Sequence, residues 1–319
     1  MKEKLNLKKL LKLAGNIVVI AALAFVVKKF IDMDVNFSQL SSSSVIAALV
    51  ISLVVQAGLI IVACFPWLMF TRSFSGKKIP FSAAMPVYTK SNIFKYIPGN
   101  VFQYVGRNKL AADMKISHVD VACATVFDVL FCVIWTGVIS VILLGSSIAE
   151  LLEKYGKNIL IIGIVGVAAV VLGLILVYYK FREKLKRYLS RYAKAFAPGN
   201  RFRLFQGVFY YLVHNSVSAA MYFVCLRLIV GSSASVSELA VLTGAFMFAW
   251  IIGFVTPGAP GGIGIRESVM LFVSGDKYED KVLLFVVAMR LSSVLADVAA
   301  FLAGSIYNNI IHKNSKEAS

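Results

Sequence analysis

Ile97-Pro98-Gly99-Asn100-Val101-Phe102-Gln103-Tyr104-Val105-Gly106-Arg107 and Thr256-Pro257-Gly258-Ala259-Pro260-Gly261-Gly262-Ile263-Gly264-Ile265-Arg266-Glu267 are the two stretches on which the fold turns. Each carries Pro-Gly, a further Gly six or seven residues on, and an Arg one or two residues after that. Both lie in apolar sequence, where Pro breaks a helix and an Arg is expensive. Helices interrupted at corresponding places in two halves of a membrane chain point to a transport site near the bilayer midplane.

Outward from these motifs the chain is membrane-like. Hydrophobic residues make up 59% of its 319 positions and mean hydropathy is +0.80, whereas soluble domains hold about 45–50% apolar residues. The apolar runs are about 10–31, 45–71, 119–144, 159–179, 205–230, 238–256 and 282–311, several of them beyond the ~18 residues that suggest a spanning helix. No short alternating segments of the β-barrel kind occur. The net charge of +17 is not a nucleic-acid signature, because the Lys and Arg gather at the ends of the apolar runs, as topology signals do. Cys64, Cys123, Cys132 and Cys225 all fall inside apolar runs without a CxxC pair, which predicts buried small hydrophobes. The basic and then apolar N-terminus lacks a small-residue cleavage site, so a retained first helix is expected.

Lys/Arg asymmetry sets the sides. Lys2, Lys4, Lys8, Lys9 and Lys12, the nine Lys/Arg between Lys180 and Arg203, and Arg72, Lys77 and Lys78 should be cytoplasmic. Segments 32–44, 145–158 and 231–238 are short of Lys and Arg and should lie outside. Parity then works if 81–112 and 238–275 each dip into the membrane and return. The expected architecture is all-α: one transmembrane domain over 1–319, with about six full spans, two re-entrant helical hairpins and inverted-repeat halves at about 1–145 and 155–312. Both termini fall in the cytoplasm, at the plasma membrane. Residues 238–256 are long enough to cross fully, and the second hairpin fails if they do. Pro-Gly pairs that simply mark loops between spans are the plainer alternative.

Ionisable residues inside these segments should face a partner or water. Lys90, Lys95 and Arg107 surround the first motif, and Arg266 and Glu267 follow the second. Asp128 lies in the run 119–144; Arg290 and Asp297 share a face of the last run at i and i+7. One reading is a cationic phosphate-binding cavity of Lys90, Lys95, Arg107, Arg266 and Arg290, with Asp128, Glu267 and Asp297 as charge partners or a proton relay. Turn glycines Gly99, Gly258, Gly261, Gly262 and Gly264 would add backbone N–H groups at helix starts. The other reading is ion pairs that stitch helices together. His214, beside Asn215 and Ser216, suggests a helix–helix hydrogen bond, with a proton relay as the alternative, and His118 a helix-end residue. The Trp, Tyr and Phe read as membrane aromatics. No metal-site spacing, nucleophile elbow or strand-bounded dinucleotide loop occurs, so no metal, cofactor or catalytic residue is expected.

Lys95-Tyr96-Ile97-Pro98-Gly99 with Gly106-Arg107, Phe127-Asp128, Pro257-Gly258 through Gly261-Gly262-Ile263-Gly264 to Glu267, and Arg290 together resemble the lysylphosphatidylglycerol synthase transmembrane-region family, also called flippase-like. The resemblance runs in order along essentially the whole chain; Ala259-Pro260 before Gly261 is a departure at the second turn. It implies translocation of an anionic phospholipid or a polyprenyl-phosphate-linked lipid. Larger members carry a separate aminoacyl-transferase domain, for which a chain ending at Ser319 leaves no room. A soluble transferase partner, a membrane-embedded lipid- or glycan-modifying transferase, a non-transporting scaffold and a homo-oligomer are the alternatives. No ATP-binding signature is present, and no nucleic-acid partner is expected.

Overall fold

A computed structural model describes residues 42–96, 102–145, 193, 195–255 and 264–317. The runs at 10–31 and 159–179, most of the Lys180–Arg203 loop, and Gly99, Gly258, Gly261 and Gly262 lie outside the described residues. Every described element is helical: α1 (Ser43–Val62), α2 (Cys64–Ser75), α3 (Phe81–Asn92), α4 (Phe102–Leu110), α5 (His118–Leu144), α6 (Pro198–Val230), α7 (Val236–Val255), α8 (Ile265–Ser274) and α9 (Glu279–Glu317). Five stretches are long and apolar enough to cross a membrane: Ser43–Ser75, His118–Leu144, Pro198–Val230, Val236–Phe254 and Arg266–Ile310.

The helix limits follow from local chemistry. α1 and α2 form one rod interrupted at Ala63, three residues before Pro66, which has no N–H to give to the carbonyl of Val62. α3 tightens into a 3-10 turn at Ile93–Tyr96 as it approaches Pro98. Ser117 caps α5, accepting the Val119 N–H at 3.3 Å, and Pro198 opens α6 at a position where a missing N–H costs nothing. Gly264 starts α8 with φ +84°, a conformation that suits glycine.

Besides a small cluster of Ile139, Ala219 and Met247 that joins α5, α6 and α7, two larger apolar cores occupy opposite ends of the bundle. One gathers Cys64, Trp67, Phe70, Ala84, Val121, Ala124, Leu204 and Tyr211 from α2, α3 and the first halves of α5 and α6. The other gathers Val45, Ala48, Leu226, Leu239, Phe246, Met270, Val282 and Phe285 from the start of α1, the end of α6, α7, α8 and the start of α9. The α1–α2 rod and α6 run antiparallel through both: the Cys225 thiol donates to the Ala48 carbonyl at 3.5 Å, and the Tyr210 hydroxyl donates to that of Leu59 at 3.5 Å. α5 and α7 approach closely at Gly244. Its carbonyl accepts from the Ser140 hydroxyl at 2.8 Å, and a Cβ there would lie 2.9 Å from the Ser140 carbonyl oxygen. Small residues let membrane helices come this near.

α3–α4 and α7–α8 are helical hairpins, each rooted in one of these cores. At the base of the first, the Lys77 ammonium donates to the Lys115 carbonyl, returning the chain to the end where α3 began. At the base of the second, Lys277 pairs with Glu238 at 2.5 Å and the Tyr278 hydroxyl donates to the Ser233 carbonyl at 3.1 Å. The hairpins differ in length. α3 has 12 residues, about 18 Å of helix. α7 has 20 residues, about 30 Å, the thickness of a hydrocarbon core.

Candidate functional site

Between the two cores lies a cavity of about 380 Å³. All but α2 of the long helices contribute to its wall. Lys95 follows α3, Arg107 lies on α4, Arg266 on α8 and Arg290 on α9, so four of the five cations expected at the site line one space. Lys90 does not: it is exposed on the far side of α3.

Each acidic residue expected beside them is engaged. Asp128 is 4% exposed and Arg107 2%; the guanidinium donates to the carboxylate at 2.9 Å. Asp128 also accepts from the Tyr211 hydroxyl at 2.5 Å and from that of Tyr88 at 3.5 Å. The Tyr88 ring lies 3.9 Å from the Arg107 guanidinium carbon, an attractive arrangement for a cation over a π face. Asp297 pairs with Lys95 at 2.6 Å and accepts from Asn92 at 2.7 Å and Tyr96 at 2.5 Å. Glu267 accepts from Arg290 at 3.0 Å. Arg290 and Asp297 share a face of α9, yet their partners lie on different elements.

The two hairpins carry these pairs with opposite sign. In the first, the cation sits on the second arm and the acid on the following span, 21 residues on (Arg107 and Asp128). In the second, the acid sits on the second arm and the cation on the following span, 23 residues on (Glu267 and Arg290).

Arg266 stands apart. Among the described residues no carboxylate lies within ion-pair distance of it, and its buried Nε has no hydrogen-bond partner. Its guanidinium carbon lies 5.7 Å from the Phe246 ring. Among the described residues four cations meet three carboxylates here, and Arg266 is the cation without an ion pair. A helix start was also expected to offer backbone N–H groups to an anion. At α8 the Gly264 N–H instead donates to Glu267 at 3.0 Å, which closes that donor. The turn glycines Gly99, Gly258, Gly261 and Gly262 lie outside the described residues.

His214 also departs from expectation. It lines the cavity, but Nδ1 meets the Tyr210 hydroxyl at 3.2 Å, one turn back on its own helix rather than on a neighbour. His118 begins α5, a helix-end position, and its Nδ1 meets Asn108 Oδ1 at 2.5 Å. Tyr88, Tyr96 and Tyr211 also line the cavity but carry no signal in the sequence, because a Tyr in an apolar run looks like any interfacial aromatic. Gln56 was detectable: it is the one amide in the apolar run 45–71.

Cys132 lines the cavity, whereas Cys64, Cys123 and Cys225 are buried. A small water-soluble methanethiosulfonate is therefore expected to modify Cys132 first in folded protein, and a Cys132→Ala variant to lose that fast phase. Mass spectrometry of the labelled peptides checks it. No family model, no curated protein and no solved structure matches the chain.

Proposed function

We propose that the cavity binds the phosphate of an anionic phospholipid or a polyprenyl-phosphate-linked lipid, and that the protein moves such lipids between leaflets. The observation that carries this reading is Arg266, a cation in a membrane-depth cavity without a carboxylate of its own. A buried charge without a counter-ion is costly, and an anionic ligand removes that cost when it arrives. A guanidinium suits phosphate because it stays protonated and donates in parallel pairs.

The two hairpins give the cavity two ends. α3–α4 closes one and α7–α8 the other, and each carries an ion pair to the long helix that follows it. Re-entrant hairpins in an inverted repeat would expose the site to each leaflet in turn. In this reading α7, though 20 residues long, tilts inward and turns back rather than crossing. In the same reading the membrane is the plasma membrane and the end of the bundle that carries Arg72, Lys77, Lys78 and Lys115 faces the cytoplasm, the side that Lys and Arg favour.

The test is dithionite quenching of fluorescent lipids in proteoliposomes, comparing phosphatidylglycerol, a short polyprenyl phosphate and phosphatidylcholine. Protein-dependent movement of an anionic lipid is expected, falling about tenfold or more in Arg266→Gln, since a hydrogen bond to a charged group contributes about 1.5–3 kcal/mol. Equal rates in wild type and variant, or none above empty vesicles, would overturn the proposal.

A further inference from the structure

The cavity has a second, uncharged polar wall away from its arginines. Gln56 reaches it from α1 and His214 from α6. The contacts Ala48–Cys225 and Leu59–Tyr210 fix an antiparallel register between these helices. That register puts Gln56 level with His214. Nearby polar groups are already satisfied: Thr136 donates to Asn215 Oδ1 at 2.8 Å, Asn215 to the Tyr211 carbonyl at 2.9 Å, and Ser218 to the His214 carbonyl at 2.9 Å. Gln56 is different, because its Nε2 is buried and has no hydrogen-bond partner. His214 has one ring nitrogen engaged by Tyr210 and the other left for the cavity.

An orphaned amide at membrane depth is costly unless a ligand completes it. The available chemistry narrows that ligand. A second anion would need a second unneutralised cation, and Arg266 is the one cation of the four left over. An ammonium would need a carboxylate without a cation, but Asp128, Glu267 and Asp297 are each in an ion pair, and the open Oε1 of Glu267 belongs to the carboxylate that Arg290 already holds. An acyl chain would leave the amide unsatisfied. A hydroxyl both donates and accepts, and so suits an amide N–H beside an imidazole nitrogen. The volume of about 380 Å³ is roughly that of a dozen waters, more than a phosphate alone fills.

We infer that Gln56 and His214 form a subsite for a hydroxyl-bearing substituent on the phosphate, so that the protein selects headgroups in which a polyol or sugar is esterified to phosphate over bare or amine-bearing phosphates. This rests on the anion-binding reading of the same cavity.

Calorimetric titration of the detergent-purified full chain tests it, with inorganic phosphate, phosphoethanolamine and myo-inositol 1-phosphate as soluble probes. Inositol phosphate is expected to bind about tenfold more tightly than the other two, the effect of one or two neutral hydrogen bonds. Gln56→Leu should remove that preference and leave phosphate affinity unchanged, which also shows the variant to be folded. His214→Phe should reduce the preference in the same direction. If phosphate binds but wild type shows no preference, or if Gln56→Leu weakens all three probes alike, the subsite is rejected while the anion site stands. If no probe binds, both fall.

Discussion

Asp128→Ala is expected to cause the largest loss of stability of any single substitution in the cavity wall. It would leave Arg107, 2% exposed, with no carboxylate, and strip two tyrosine hydroxyls of their acceptor. Removing one partner of a buried ion pair costs about 3–5 kcal/mol, because the remaining charge is neither hydrated nor paired. That is a large share of the roughly 5–15 kcal/mol by which a typical fold exceeds its unfolded state. The double variant Arg107→Leu/Asp128→Leu should recover much of the loss, since it removes both charges and their desolvation together. Full recovery is not expected, because Arg107 also stacks on Tyr88 and donates to the Ser91 hydroxyl at 3.2 Å. Melting temperature and the monodisperse fraction in detergent are the readouts. A double variant as unstable as Asp128→Ala would show that the pair itself, rather than the orphaned charge, holds α4 to α5.

Arg266→Glu is expected to have the largest effect on binding. It turns a surplus of one positive charge in the cavity into a deficit of one. Loss of a charged hydrogen bond accounts for about 1.5–3 kcal/mol, and repulsion between like charges about 4 Å apart adds about 4 kcal/mol at an effective dielectric near 20. Anion affinity should fall at least about a thousandfold, or ~4 kcal/mol, and lipid movement with it. Some loss of stability is expected as well, because the new carboxylate would be buried next to Glu267. Titration with phosphate beside a melting curve separates the two effects. Retained affinity would place the anion elsewhere in the chain.

The long apolar helices among the described residues were legible because hydropathy is a property of consecutive residues. Runs read at 119–144 and 205–230 coincide with helices at His118–Leu144 and Pro198–Val230. The convergence of Lys95, Arg107, Arg266 and Arg290 was legible for a related reason: each is too costly to leave facing lipid. Their partners were not. Lys95 meets Asp297 across more than half the chain, and Arg290 turns to Glu267 rather than to the acid on its own face. Such choices depend on how helices rotate against one another, which side-chain packing decides and periodicity does not. The open N–H expected at Gly264 failed for a local reason, since Glu267 three residues on is the natural cap for that position. Gln56 went unread because one amide in a long apolar run hardly moves its average.

The rod of α1 and α2, together with α5 and α6, belongs to both apolar cores, whereas each hairpin belongs to one. Any displacement of α6 would therefore disrupt packing at the two ends simultaneously, while a displaced hairpin would disturb one end together with its mid-bundle ties, Asp297 for the first and Ser140 for the second. If the protein moves lipid as proposed, the long helices would serve as a fixed frame and the hairpins as its shutters, one opening while the far side stays sealed.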